Sequence, residues 1–275
     1  MASLVSQFEP PRLRFTNVED LFRTLSCMNK DEDCIVVADV SPRDFTEIEH
    51  EREKRACHIR FREYNRNRQL LLITIPTFIH EALHLRLFSR IYHQIALSGN
   101  EDSWAPIGAA TFRAQHPGGD DGEGDSAGGP EPERCAGAWP TLVIEAGVSQ
   151  SLAGLRLRMQ WWFAASQHDV KIVLLTQFDR AHRTITLEKW EEMATVARPG
   201  AIATRSAAAV RPVLRQTITI TRDATVDPAV CMVTSGALVL GFRELFLREP
   251  GPAEGDVVLS VEQLERYAAG VWAMV

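Results

Sequence analysis

The sequence predicts an α/β protein, and three observations carry that prediction. Residues 141–146 (TLVIEA) and 170–175 (VKIVLL) are short apolar runs of the kind that form buried strands. Between them, Leu152, Leu155, Met159, Trp162 and Phe163 stripe a helix over 149–166, with Ser149 as its N-cap. Strand, helix, strand in that order reads as a crossover joining parallel strands. Thirdly, residues 76–98 place apolar side chains at 79, 83, 87, 88, 91 and 95, the spacing of a long helix. A chain of 275 residues can bury such a core without disulfide or metal staples.

The remaining elements follow in order. A short helical pattern surrounds residues 18–25, and the β-branched run 34–40 (CIVVADV) reads as a strand that Ser41-Pro42 stops. The charged segment 44–54 reads as a solvated helix. Residues 59–64 and 70–75 flank an Asn-rich turn and predict a hairpin. Residues 107–112 read as a strand. Residues 117–130 (PGGDDGEGDSAGGP), rich in glycine and acid, read as a mobile surface loop. Residues 184–187 and 216–221 read as strands separated by an Ala-, Arg- and Pro-rich linker over 193–212. Residues 238–247 form a short apolar run, and 260–272 a closing helix.

Composition narrows the function. The hydrophobic fraction is 45% and the charged fraction 24%, values that exclude overall disorder. A net charge of −6 excludes a histone-like electrostatic grip on nucleic acid, although a local basic patch stays compatible with it. Five widely spaced cysteines without a CxxC pair suit a reducing compartment. No apolar run has the length of a signal peptide core or a membrane span. The expectation is an intracellular protein, cytoplasmic or nuclear, without a membrane partner.

Two motifs carry chemistry. His80-Glu81-Ala82-Leu83-His84 is an HExxH sequence on a predicted helix, where i and i+4 imidazoles share a face and can grip zinc beside a glutamate. No third ligand follows at a suitable position, so a zinc hydrolase is the lesser reading. Glu145 sits inside the buried strand 141–146, sharing a face with Thr141, Val143 and Gly147. A charge there is costly unless it is paired or binds a cation.

The sequence also resembles a known group. Trp139-Pro140-Thr141-Leu142-Val143-Ile144-Glu145, then Ser149-Gln150-Ser151-Leu152, Leu155-Arg156, Trp161-Trp162 and Val170-Lys171-Ile172-Val173 resemble uncharacterised fungal proteins related to the PD-(D/E)XK nucleases. Ile75-Pro76-Thr77 with His80-Glu81 fits the same pattern, as do Leu238-Val239-Leu240, Phe242, Arg248 and Asp256-Val257-Val258-Leu259-Ser260. The resemblance spans about residues 60–275. It implies a restriction-endonuclease-like core: a helix, a mixed sheet of about four strands and a crossover helix. The core would occupy 59–192, after an N-terminal extension (1–58) and before a C-terminal annex (193–275).

The resemblance further implies a divalent-metal-dependent hydrolysis of nucleic-acid phosphodiesters. Glu81, Asp125 and Glu145 would hold Mg²⁺ or Mn²⁺, since hard cations prefer carboxylates, and the metal would activate water. Asp120 and Asp121 are rivals to Asp125. The expected lysine two residues after Glu145 is replaced by Gly147. Lys171, or Arg156 and Arg158, would then supply the positive charge, with arginine a poor proton shuttle. Gly147 and the acidic balance leave a second reading open, a non-catalytic binding or accessory protein. The dense basic stretch Arg52, Lys54, Arg55, Arg60, Arg62, Arg66 and Arg68 could track a phosphate backbone. Its interleaved glutamates favour a solvated face instead.

Overall fold

The computed structural model describes residues 11–28, 33–56, 59–108, 110–114, 121–134, 137–194 and 210–275. An N-terminal layer contains β1 (Arg12–Arg14), α1 (Val18–Ser26), β2 (Cys34–Ala38), α2 (Pro42–Lys54), β3 (Arg60–Asn65) and β4 (Leu70–Thr74). The hairpin expected around the Asn-rich turn is present as β3 and β4. Ser41-Pro42 opens α2 rather than merely stopping the strand. The Ser41 hydroxyl accepts from the Asp44 N–H, the Asp44 carboxylate accepts from the Ser41 N–H, and Pro42 takes the first turn, where no N–H is needed.

The long helix α3 (Phe78–Leu97) starts at an N-cap made by Thr77. Next come β5 (Trp104–Pro106), β6 (Thr111–Arg113), β7 (Asp121–Glu123) and β8 (Ser126–Pro130). Of the strand expected over 107–112, only 111–112 are strand, in β6, and β5 just before that segment belongs to the other sheet. The expected loop over 117–130 is also corrected. Residues 117–120 lie outside the described residues, but 122–130 are buried and mostly strand. Glycine serves packing here rather than mobility. A Cβ on Gly128 would lie 2.1 Å from the Trp104 ring, and one on Gly124 would lie 3.0 Å from Trp162.

The crossover is as expected. β9 (Leu142–Gly147), α4 (Leu152–Ala165) and β10 (Ile172–Asp179) form a strand–helix–strand unit, and Glu145 lies opposite Leu175 in the parallel ladder. The N-cap of α4 is Ser151, not Ser149. β11 (Thr184–Ala194) and β12 (Val210–Asp223) are longer than expected. Met193↔Arg211 and Ala194↔Val210 pair inside the segment read as a linker, while 195–209 lie outside the described residues. β13 (Val230–Thr234), β14 (Leu238–Leu240), α5 (Phe242–Phe246), β15 (Val257–Leu259) and α6 (Val261–Trp272) complete the chain.

Two large sheets result. One has the order β1-β2-β4-β3-β7-β6 and takes strands from both the expected N-terminal extension and the expected core; the other has the order β13-β12-β11-β10-β9-β8-β5. In the second sheet Leu142, Ile144 and Ala146 face α3 and α6, whereas Val143 faces α4 with Trp162 and Phe163. The first sheet buries its own core against α1 and α2, including Phe22, Ile48, Phe61 and Tyr64. The Tyr267 hydroxyl of α6 donates to the Leu83 carbonyl and fixes α3 over the sheet. No helix of the described residues is long and apolar enough to cross a membrane.

Candidate functional site

The site arises where two strands part. β8 and β9 pair from Gly128↔Leu142 to Ser126↔Ile144, and the ladder ends there. Asp125 and Glu145 are the next residues on each side, and both are buried. Beyond that point the β9 edge is satisfied by side chains. The Ala146 N–H donates to Asp125 Oδ2 at 2.7 Å, and the Ala146 carbonyl accepts from Arg62 Nη2 at 2.9 Å. A buried ion pair thus replaces a neighbouring strand, meeting the need of buried backbone groups for partners.

Arg62 reaches this gap from the other sheet. It is the extra residue of a bulge in β3, between Phe61↔Ile73 and Glu63↔Leu72. A bulge re-aims one side chain out of the alternation, so Phe61 and Tyr64 both enter the N-terminal core while Arg62 turns toward β9. Its Nη2 lies 2.6 Å from Asp125 Oδ2 and 3.0 Å from Glu145 Oε2. Its Nη1 donates to the Gln150 side-chain oxygen. Burial opposes the charge on Arg62, but Asp125 and Glu145 overcome it and raise its pKa.

Charges of alternating sign continue on both sides. Arg60 bridges Glu81 (2.9 Å) and Asp125 (3.1 Å). Glu145 also accepts from the Trp162 indole N–H and lies 3.4 Å from Arg158, which is itself buried. His80 stands between two carboxylates: Nδ1 is 2.9 Å from Asp33 and Nε2 is 3.1 Å from Asp125. Both ring nitrogens must donate to carboxylates, so His80 is an imidazolium. Burial lowers its pKa, but Asp125 and Asp33 more than reverse this and bring it to about 9. Asp33 accepts from the N–H groups of Val148 (2.8 Å) and Ser149 (2.9 Å) and from the Ser149 hydroxyl. Burial would raise its pKa; these bonds and His80 hold it at about 2. Burial lowers the pKa of His84, whose Nδ1 lies 2.8 Å from the Ser126 hydroxyl and whose Nε2 lies 3.2 Å from Glu81.

The structure therefore gathers Glu81, Asp125 and Glu145 in one region, each against an arginine. It does not bring Lys171 there. Lys171 lies four residues before Leu175, about 13 Å along the strand at 3.3 Å per residue, and its ammonium donates to the His168 carbonyl. Arg156 points to Glu188 instead. Asp121 is half-buried on β7, opposite Arg113 in the β6–β7 ladder. Asp120 lies outside the described residues. The missing lysine has a steric reason: a Cβ at Gly147 would crowd Gln150 Cβ (3.1 Å) and Leu155 Cδ1 (3.2 Å).

The donor set does not fit the expected Mg²⁺ or Mn²⁺. Such an ion needs carboxylate oxygens converging at about 2–2.6 Å. Here the Arg62 guanidinium separates Asp125 from Glu145, and Arg60 separates Asp125 from Glu81. For zinc, His80, Glu81 and His84 each place one ligand atom within 4.8 Å of the others. His80 spends both ring nitrogens on Asp33 and Asp125, so a zinc ion there would have to displace one of these contacts.

Asp33, Arg60 and Arg62 escaped sequence reasoning as members of the site. One signal was legible: Phe61 and Tyr64 are three apart in a strand pattern of period two, which marks an extra residue. The basic stretch is split. Arg60 and Arg62 serve the cluster and Arg52 pairs with buried Glu123, whereas Lys54 and Arg55, both beside Glu51, and Arg66 and Arg68 at the turn are exposed. No protein-family model matches this chain, and no curated protein matches its sequence.

Proposed function

We propose that this chain is a non-catalytic binding or accessory module, one that keeps a nuclease-like arrangement of carboxylates but neutralises it internally. The observation that carries this reading is the Arg62 guanidinium between Asp125 and Glu145. Four carboxylates (Asp33, Glu81, Asp125, Glu145) face four cations (Arg60, Arg62, Arg158, His80), so the cluster is balanced without a metal. A divalent ion would have to displace a buried, bidentate-capable arginine and leave it unpaired, at a cost of several kcal/mol.

The hydrolytic alternative makes the opposite prediction, and one experiment separates the two. Thermal unfolding is followed with and without Mn²⁺ for the wild type and Glu145→Ala, alongside incubation with plasmid DNA and single-stranded RNA. A ligand of the folded state must raise its stability. The expected result is no rise and no cleavage beyond that of Glu145→Ala. A rise confined to the wild type, together with cleavage, would overturn the reading. Stoichiometric zinc in the purified protein, lost in His84→Ala, would instead revive the HExxH reading.

A further inference from the structure

Four strands end the two large sheets, and three of them are guarded. β1 carries Arg12 and Arg14, β6 carries Arg113, and β5 ends at Pro106. Charge and proline on an edge stop another strand from joining it. Where β12 runs on without β13 beside it, Arg211 and Pro212 stand on the strand.

β13 is the exception. Its five residues, Val230-Cys231-Met232-Val233-Thr234, include neither a charge nor a proline. In the sequence, residues 228–242 hold no charged side chain. β12 takes one edge of β13, and among the described residues no strand pairs with the other. Every second N–H and C=O of β13 therefore points away from the sheet. Cys231 and Val233 pack into the core beneath α6, whereas Val230 and Met232 are half exposed on the opposite face.

The lack of charge selects the occupant. When a strand pairs antiparallel with its own copy about a twofold axis, a charge at the axis would face itself. Pairing all five residues of β13 centres Met232 on Met232 of the second copy. Val230 then stands opposite Thr234, and Cys231 opposite Val233, on matching faces of the sheet. The apolar face made by Cys231 and Val233 continues across the axis.

We propose that β13 is a dimerisation edge. Two copies of the chain join antiparallel through Val230–Thr234, and their seven-stranded sheets become one. This inference is independent of whether the charge cluster is catalytic.

The test is the molar mass of the full chain by sedimentation equilibrium up to about 100 µM, where a micromolar dimer is mostly associated. The expected mass is twice the 30.7 kDa of one chain. Met232→Lys and Met232→Glu each set two like charges face to face, and each should raise the dissociation constant about tenfold or more. An equimolar mixture of the two variants should dimerise again, since lysine and glutamate then meet across the axis. Only an interface with Met232 on its axis gives that rescue. Should a charged variant fail to fold, Met232→Cys gives a second readout. Mild oxidation should link two of its chains covalently beyond the level of the wild type, and Val226→Cys, outside the strand, should not be linked. A monomeric wild type, a dimer undisturbed by both charges, a loss that mixing does not restore, or no added cross-link in Met232→Cys would overturn the proposal.

Discussion

The Arg62 guanidinium lies 2.6 Å from the Asp125 carboxylate, and the two side chains together close the open edge of β9 at Ala146. The pair joins the two sheets of the molecule: Arg62 comes from a bulge in one, and Asp125 immediately precedes β8 of the other. Removing either partner strands a charge in the interior. Arg62→Met should therefore cost about 3–5 kcal/mol, the range for breaking a buried pair. Combining it with Asp125→Asn and Glu145→Gln should recover part of that loss. Urea unfolding of the single and triple variants measures both effects, and a triple variant no more stable than Arg62→Met would contradict the account.

The pH dependence of stability follows from His80 and Asp33. The folded pKa of His80 is raised to about 9, from an ordinary value near ~6.5. Its contribution is complete below about 6.5 and is lost as pH rises through about 9. Asp33 is depressed to about 2, so its contribution is complete above about 4 and is lost as pH falls through about 2. Unfolding free energies between pH 6 and 10 should decline in the wild type. His80→Gln should be less stable at pH 6 and show a flatter decline.

Gly128 is a packing position. Its Cβ would fall 2.1 Å from the Trp104 ring, which is wholly buried, so the indole or the strand must move. Gly128→Ala should cost about 1–3 kcal/mol, as overpacked cores do. In a Trp104→Leu background the added methyl should cost much less. Equal penalties in the two backgrounds would show that the glycine is required for another reason.

The capping box of α2 gives a smaller, local effect. Ser41 and Asp44 satisfy each other's backbone N–H groups at the helix start. Ser41→Ala should lower stability by about 1 kcal/mol. The loss should appear as faster amide exchange in the first turn of α2, with the charge cluster unaffected.

The sequence by itself determined the elements whose signals are local. Periodicity placed α3, the β3–β4 hairpin and the β9–α4–β10 crossover, because apolar spacing of 3.6 or 2 records which face of an element is buried. It also marked Glu145 as a buried charge that needs a counter-charge. Composition misled where packing reverses its meaning. The Gly- and Asp-rich segment read as a loop because glycine and aspartate usually mark turns, yet Trp104 and Trp162 demand glycine against their rings. Only the tertiary structure decided what satisfies Glu145 and Asp125. The counter-charges come from Arg62, 83 positions before Glu145, and from Arg158 and His80, and the link between Arg62 and its acids depends on a one-residue bulge. Local pattern carries the cost of burying a charge, whereas the identity of its partner is a long-range fact, fixed only when two sheets meet.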